Sequence, residues 1–263
     1  MNEHSKKPLL SSANETLLRD IRKDMGRFIH QPQRRIFLQH SLTLGGLALL
    51  SGCTVVDENS IENALMAISR FNDKVQALLF DPNRLAPTYP QSMITQPFPF
   101  NAFYGKNNIP EIEEEDFRLE VTGMVADKRS WTLKELRALP QVDQITRLIC
   151  VEGWSAIGRW GGIQFSTFLR RIGADLTAKY VGFKCADEYY TSIDMPTALH
   201  PQTILTLTYN GEMLPPQYGF PLKLRMPTKL GYKNPKHIHA MFVTNVNPGG
   251  YWEDQGYNWF GGS

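Results

Sequence analysis

Apolar and polar positions along the chain change period several times, and each change predicts an element. Between residues 60 and 80, Ile61, Leu65, Ile68, Val75 and Leu79 recur near helical spacing and predict an amphipathic helix, for packing or for spacing from a membrane. From Asp81 to Pro110 the prolines Pro82, Pro87, Pro90, Pro97, Pro99 and Pro110 remove donors and fix φ, so neither helix nor central strand is expected. Phe117, Leu119 and Val121 alternate up to Gly123 and predict a strand. Thr132 and Glu135 form a capping box ahead of Leu136 and Leu139. Residues 144–150 are expected as a buried strand, Trp160-Gly161-Gly162 as a tight turn, and Ser166 as the cap of a short helix reaching Ile172. Strands are predicted over residues 180–185, 189–193, 222–226 and 237–246. Another covers 203–209, with a hairpin at Asn210-Gly211. Many strands, few short helices and no regular βαβ alternation predict an α+β fold. No internal repeat is evident.

Composition and charge refine this picture at the N-terminus. The formal charge is +2 over 263 residues. Residues 1–52 hold eight Lys/Arg against four Asp/Glu, so the remainder stands at −2 and carries no nucleic-acid footprint. Arg34-Arg35, Phe37 and the apolar segment 42–50 follow the twin-arginine export pattern, with an apolar run too short to span a bilayer. Leu50-Ser51-Gly52-Cys53 resembles a lipobox, which makes Cys53 a candidate lipid anchor. The bland alternative is a cytoplasmic tail with an incidental arginine pair. The expected organisation is a signal peptide over 1–53, a helix and proline-rich linker over 54–97, and a single domain over 98–263. The expected location is the periplasm, and twin-arginine export of folded proteins hints at a cofactor.

Three cysteines are too few for a disulfide scaffold. Cys150 ends the apolar run Arg147-Leu148-Ile149-Cys150 and is followed by Val151-Glu152-Gly153-Trp154, as a thiolate facing a bound group would be. It could be a nucleophile, a soft-metal ligand or inert packing. A nucleophile would want a base, and His200, His237 and His239 are the candidates. A disulfide to Cys185 is a further alternative that an oxidising compartment permits. Residues 223–239 gather Lys223, Arg225, Lys229, Lys233, Lys236, His237 and His239, interleaved with Gly231, Tyr232 and Asn234. Cations with glycine-freed backbone N–H groups suit a phosphate, although a solvated basic face is the commoner meaning of such a run.

Cys150-Val151-Glu152-Gly153-Trp154-Ser155 with Trp160-Gly161-Gly162 resembles the molybdenum-cysteine loop of the sulfite oxidase family. The nearest part of that family is its haem-free bacterial branch, which includes the periplasmic methionine-sulfoxide reductase catalytic subunit. Asn101-Ala102-Phe103-Tyr104-Gly105, Lys179-Tyr180-Val181-Gly182-Phe183, Leu214-Pro215-Pro216-Gln217 and Lys229-Leu230-Gly231-Tyr232-Lys233 extend the resemblance over about residues 98–250. It implies a sulfite-oxidase-type fold of mixed β-sheets with short helices. It also implies molybdenum held by a molybdopterin dithiolene and by the Cys150 thiolate. Asn101, Tyr104, Gly105, Cys185, Tyr218, Lys223, Arg225, Lys229, Asn234, Pro235 and Lys236 would bind the cofactor. Cys185 stands where the branch has threonine, Tyr218 where it has asparagine and Lys223 where it has arginine. Asn234-Pro235-Lys236 replaces a Gly-Ile-Lys phosphate segment.

The implied activity is two-electron oxygen-atom transfer on a small sulfur-oxo or N-oxide substrate. Arg147 and Arg159 would hold the substrate, each with a surface ion pair as its alternative. Tyr189 would donate to a substrate oxygen, with core packing as its alternative. Glu152 and Trp154 are expected to shape the loop. The branch's immunoglobulin-like C-terminal domain is not expected within these residues. With no Cys-x-x-Cys-His, electrons are expected to pass through a separate membrane or soluble cytochrome. The alternative function is a metal-free secreted lipoprotein that keeps the fold as a binding module.

Overall fold

The computed structural model describes residues 58–263, and the arginine pair, the apolar segment 42–50 and Cys53 lie outside them. The chain divides into two units, Met1–Ile61 and Glu62–Ser263. The architecture below is that of the second. It is α+β, built on two five-stranded sheets.

Helix α1 (Glu58–Leu79) matches the helical spacing. The first sheet has β1 (Arg118–Gly123), β2 (Ser130–Thr132), β5 (Tyr180–Cys185), β6 (Tyr190–Asp194) and β10 (Ile238–Thr244) in the order β2-β1-β10-β5-β6. Its β1–β10 pair is parallel and the others are antiparallel, so the sheet is mixed. The second sheet has β3 (Gln141–Ile149), β4 (Ser155–Gln164), β7 (Ile204–Tyr209) and β8 (Glu212–Met213) in that order, with β9 (Lys223–Arg225) added on β7. Short helices α2 (Leu133–Arg137), α3 (Phe165–Arg171) and α4 (Met195–Leu199) connect them. The main core joins both sheets. Leu119, Val181, Phe183 and Met241 meet Ile163, Leu205 and Leu224, with Phe165, Phe168 and Leu169 of α3 packed in. A second cluster, Phe98, Leu148, Ala156, Trp160, Tyr209 and Leu214, gathers separately around β3, β4 and β7.

Local rules account for most of these elements. Thr132 Oγ1 accepts from the Glu135 amide, and the Glu135 carboxylate accepts from the Thr132 amide, which closes the capping box on α2. Asn210 and Gly211 both have positive φ, 54° and 86°, the backbone a two-residue hairpin turn requires. The proline-rich segment forms no long element. It bonds along the second sheet instead: the Tyr89 amide donates to Ile145 O at 3.1 Å and the Thr95 amide to Ile157 O at 2.9 Å.

Three expectations are corrected. Trp160-Gly161-Gly162 is the middle of β4 and no turn, with a bulge where it pairs with β7. The glycines serve close backbone approach: a Cβ on Gly162 would collide with the Leu205 carbonyl, and one on Gly161 with Thr208 Oγ1. Ser166 lies buried inside α3, whose N-cap is Gln164 and makes no side-chain bond. Finally, β3 is an edge strand whose first five residues are at most half-buried. Its apolar run mimics a central strand because Thr146 and Leu148 alone turn fully inward.

Candidate functional site

β3 and β4 form a hairpin in register from Gln141↔Ile163 to Ile149↔Ser155, and residues 150–154 are its loop. The Cys150 amide donates to Trp154 O at 2.9 Å, the Gly153 amide donates to Cys150 O at 3.2 Å, and Gly153 takes φ +90°. Glu152 fastens the loop from outside: its Oε2 accepts from the Trp154 indole at 2.7 Å and from the Cys150 thiol at 3.5 Å. Glu152 and Trp154 thus shape the loop, as expected. The thiol is held 8% exposed at the wall of a cavity of about 360 Å³.

Four other segments close that cavity. They are Phe100 to Phe103, the β5–β6 turn with Asp187 and Tyr189, the run Gly231 to Lys236 after β9, and Trp252 with Tyr257 near the C-terminus. Of the residues singled out in the sequence, Asn101, Cys150, Tyr189, Asn234, Pro235 and Lys236 meet here. Asp187, Phe100, Trp252 and Tyr257 were missed. The aromatics carry no spacing signal, and Asp187 reads as an ordinary turn residue.

Lys223, Arg225, Tyr104, Gly105, Cys185 and Tyr218, also expected as cofactor contacts, are not in the cavity lining. Asn234 is the hub. Its Oδ1 accepts from the Met226 amide at 2.7 Å and from Arg225 Nη1 at 3.2 Å, and its carbonyl accepts from Lys223 Nζ at 3.2 Å. Arg225 also reaches Arg147 O at 2.5 Å, tying this run to the strand that carries Cys150. Tyr104 lies just outside the cavity lining, with its hydroxyl 3.1 Å from His237 Nε2, and Gly105 follows as the cap of a short turn. Cys185 is packed in the main core at the end of β5. Tyr218 donates to Phe98 O at 2.9 Å beside the second cluster.

Four residues are placed differently from their expected roles. Arg147 stacks over Tyr89, 5.1 Å from its ring centre, and lines a second cavity that does not include Cys150. Arg159 pairs with Asp143 at 2.8 Å on the surface. The alternation of β3 puts residue 147 on the face opposite 148 and 150, and pleating decides this before charge can. Lys229 donates to Phe260 O at 2.8 Å with its ammonium 3.0 Å from the Phe260 ring centre, away from the cavity. Tyr189 lines the cavity, but its hydroxyl donates to Tyr232 O at 2.6 Å and is spent on the wall.

The electrostatics suit an anion. Lys223, Arg225 and Lys236 are at most 7% exposed, and none has a carboxylate at ion-pair distance among the described residues. Burial pulls Lys236 down to about 8 against the opposing pull of Asp187, and drives Lys223 well below its usual value. Buried charges answered by carbonyls, with Asp187 acting only from beyond ion-pair distance, are costly, and a phosphate among them would recover that cost. Burial also raises the Cys150 thiol, and its hydrogen bond goes to a carboxylate rather than a base. The three histidines are engaged elsewhere or exposed: His237 on Phe220 O and Tyr104, His200 on Arg84 O and the Gln202 amide, His239 on the surface of β10. Among the described residues a free nucleophile has no activator at Cys150, whereas a bound metal would deprotonate the thiol outright. Cys150 and Cys185 are both free, so they form no disulfide.

His237 also sets an acid limit. Burial depresses it to about 4, with Nδ1 2.6 Å from Phe220 O. The unfolded chain therefore binds the extra proton first, and stability falls as pH drops from the ordinary value near 6.5 through about 4. Melting temperature measured across that window should fall, with His237→Gln flattening the limb by the equivalent of roughly 3 kcal/mol.

The oxidoreductase molybdopterin-binding domain matches residues 106–252, and the chain belongs to that family of molybdopterin oxidoreductases, within the sulfite oxidase group. It is similar to the putative protein-methionine-sulfoxide reductase subunit YedZ1 of Azospira oryzae, 67% identical over 98% of each chain. It is also similar to the protein-methionine-sulfoxide reductase catalytic subunit MsrP of Xanthomonas campestris pv. campestris, 34% identical over 52% of this chain and 47% of that one. Among solved structures, the sulfane dehydrogenase SoxCD from Paracoccus pantotrophus aligns with TM-score 0.49 and 19% identity, over 52% of this chain and 40% of that one.

Proposed function

We propose that this chain is the catalytic subunit of a cell-envelope reductase that removes oxygen from the S-oxide of a thioether, with Cys150 as the protein ligand to molybdenum. The observation that carries it is a single buried thiol in the lining of a cavity that also includes Asn234, Pro235 and Lys236, with Lys223 and Arg225 buried nearby and no carboxylate within ion-pair distance of these cations among the described residues. The residues fit a phosphorylated pterin. Lys236 and Asn234 would hold its phosphate, Lys223 and Arg225 brace Asn234, and Asn101 offers an amide from the Phe100–Phe103 segment. When bound, the group would supply the two-electron oxygen-atom transfer itself. Cys150 supplies a soft sulfur donor at a fixed place, because the hairpin loop and Glu152 leave it little freedom. Phe100, Phe103, Tyr189, Trp252 and Tyr257 line the cavity and would offer ring faces and edges to a substrate sulfur.

An S-oxide is favoured over sulfite by the placement of Arg147 and Arg159, which leaves Lys236 as the cation on the cavity wall, already assigned to the cofactor. A neutral substrate suits aromatic walls; a dianion would want fixed positive charge. The purified holoprotein should turn over methionine sulfoxide with a reduced dye and leave sulfite plus an acceptor essentially untouched. Sulfite turnover with no S-oxide turnover would overturn the substrate assignment. Turnover of neither, with no molybdenum bound, would favour the metal-free binding module. Export through the twin-arginine route to the periplasm, and a separate electron-transfer protein of the membrane or a soluble cytochrome, complete the reading. A lipid on Cys53 is the corresponding anchor.

A further inference from the structure

Helix α1 is mounted with its polar side toward the protein. Asp73 Oδ1 accepts from the Phe260 amide at 2.6 Å and Gln76 Oε1 from the Gly262 amide at 3.0 Å. Phe80, just past the helix, meets Phe260 edge-on at 5.6 Å. On a helical projection Ser69, Asp73, Gln76 and Phe80 occupy one sector of roughly 60°. Leu65, Ile68, Phe71, Leu78 and Leu79 form a separate stripe roughly 140° wide, centred about 120° away, with half-buried Val75 near its centre and Asn72 within it. These five are 57–65% exposed, and Leu85, 59% exposed, stands beside Leu79 at the rim of the second cavity. The sequence pattern predicts an amphipathic helix, for packing or for spacing from a membrane. The structure docks the polar face and leaves most of the apolar one outside, as five large exposed side chains on one side of one helix.

Charge and chain layout say what covers it. The helix carries Glu58 and Glu62 in its N-terminal part; from Asn63 onward its exposed charges are Arg70 and Lys74, which border the apolar stripe, while Asp73 is spent on the Phe260 amide. Long cationic side chains beside an apolar stripe suit anionic headgroups. The chain outside the described residues holds the apolar segment 42–50 and Cys53, only five residues before Glu58. Five residues reach at most about 18 Å, so a membrane-held Cys53 would keep the first turn of α1 at the bilayer surface.

We propose that the apolar stripe of α1 lies in the surface of an anionic phospholipid bilayer and holds the catalytic unit against the membrane. The envelope reading above supplies the location, but the contact itself needs neither cofactor nor turnover. The test uses the full chain carrying Cys53→Ser, which removes acylation, and phosphatidylethanolamine–phosphatidylglycerol vesicles in a flotation assay. The chain should float, and the double variant Ile68→Glu/Phe71→Glu should bind at least about tenfold more weakly at an unchanged melting temperature. Leu78→Trp emission should shift to the blue only when vesicles are added. Equal binding by the chain and the double variant overturns the proposal. So does a Leu78→Trp emission already blue without vesicles, which means that segment 42–50 or a second copy covers the stripe. Dye-linked S-oxide turnover, read on the same samples, should not differ between the chain and the double variant. Its absence from both would count against the proposed activity and leave the vesicle result intact.

Discussion

Cys150→Ser is expected to lose molybdenum and to lower turnover by at least about a hundredfold, the upper end of what losing a mere supporting residue costs a metal site. A serine oxygen is a harder donor and holds its proton far more tightly, so it cannot replace a thiolate on a soft site. The fold should survive, since the thiol's one side-chain hydrogen bond goes to Glu152 and the loop is held by its own backbone bonds. Elemental analysis and thermal melting on the same sample separate the two effects. Full molybdenum retention in the serine variant would refute the ligand assignment. Loss of metal with loss of folding would send the test to Cys150→Ala, which leaves no donor atom.

Glu253→Ala should be the most destabilising single change near the site. Lys233 and Glu253 form an ion pair whose side chains are 1% and 4% exposed. Lys233 Nζ also donates to Ser192 O at 2.7 Å, and Glu253 Oε1 accepts from Thr191 Oγ1 at 2.8 Å. Burial still outweighs the carboxylate, so Lys233 titrates below its usual value. Removing the anion strands a buried ammonium, at a cost of about 3–5 kcal/mol. Replacing both partners with apolar groups avoids that, so Lys233→Met with Glu253→Ala should recover much of the loss. Chemical denaturation of the two single variants and the double variant gives the coupling directly. Additive single effects would show that the pair is not coupled. Because Trp252 and Tyr257 flank Glu253 and line the cavity, the single variant should also raise KM for the S-oxide.

The second prediction depends on residues that the chain order hides. Glu253 carries no pattern in a run of glycines and aromatics, and its partner is twenty positions away. Cys150 was legible because a lone thiol between an apolar run and a glycine is unusual locally. Asn234 and Lys236 were legible because cations and small residues cluster within one short span. Arg147 shows the limit: closeness to Cys150 in sequence means little when a pleat sends Arg147 and Leu148 to opposite faces.

By itself the sequence determined the α+β class, most strands, the α2 capping box and the Asn210-Gly211 turn, because these follow from period and from φ requirements of adjacent residues. It also singled out the thiol and the basic run that the family match spans. Tertiary structure alone decided which cations face the cavity, which glycines serve close strand approach instead of turning, and which side of α1 meets the protein. Those outcomes depend on how separate elements are rotated and packed against each other. A helix's spacing defines its two faces but not which face its neighbours will take, and only the packed chain makes that choice.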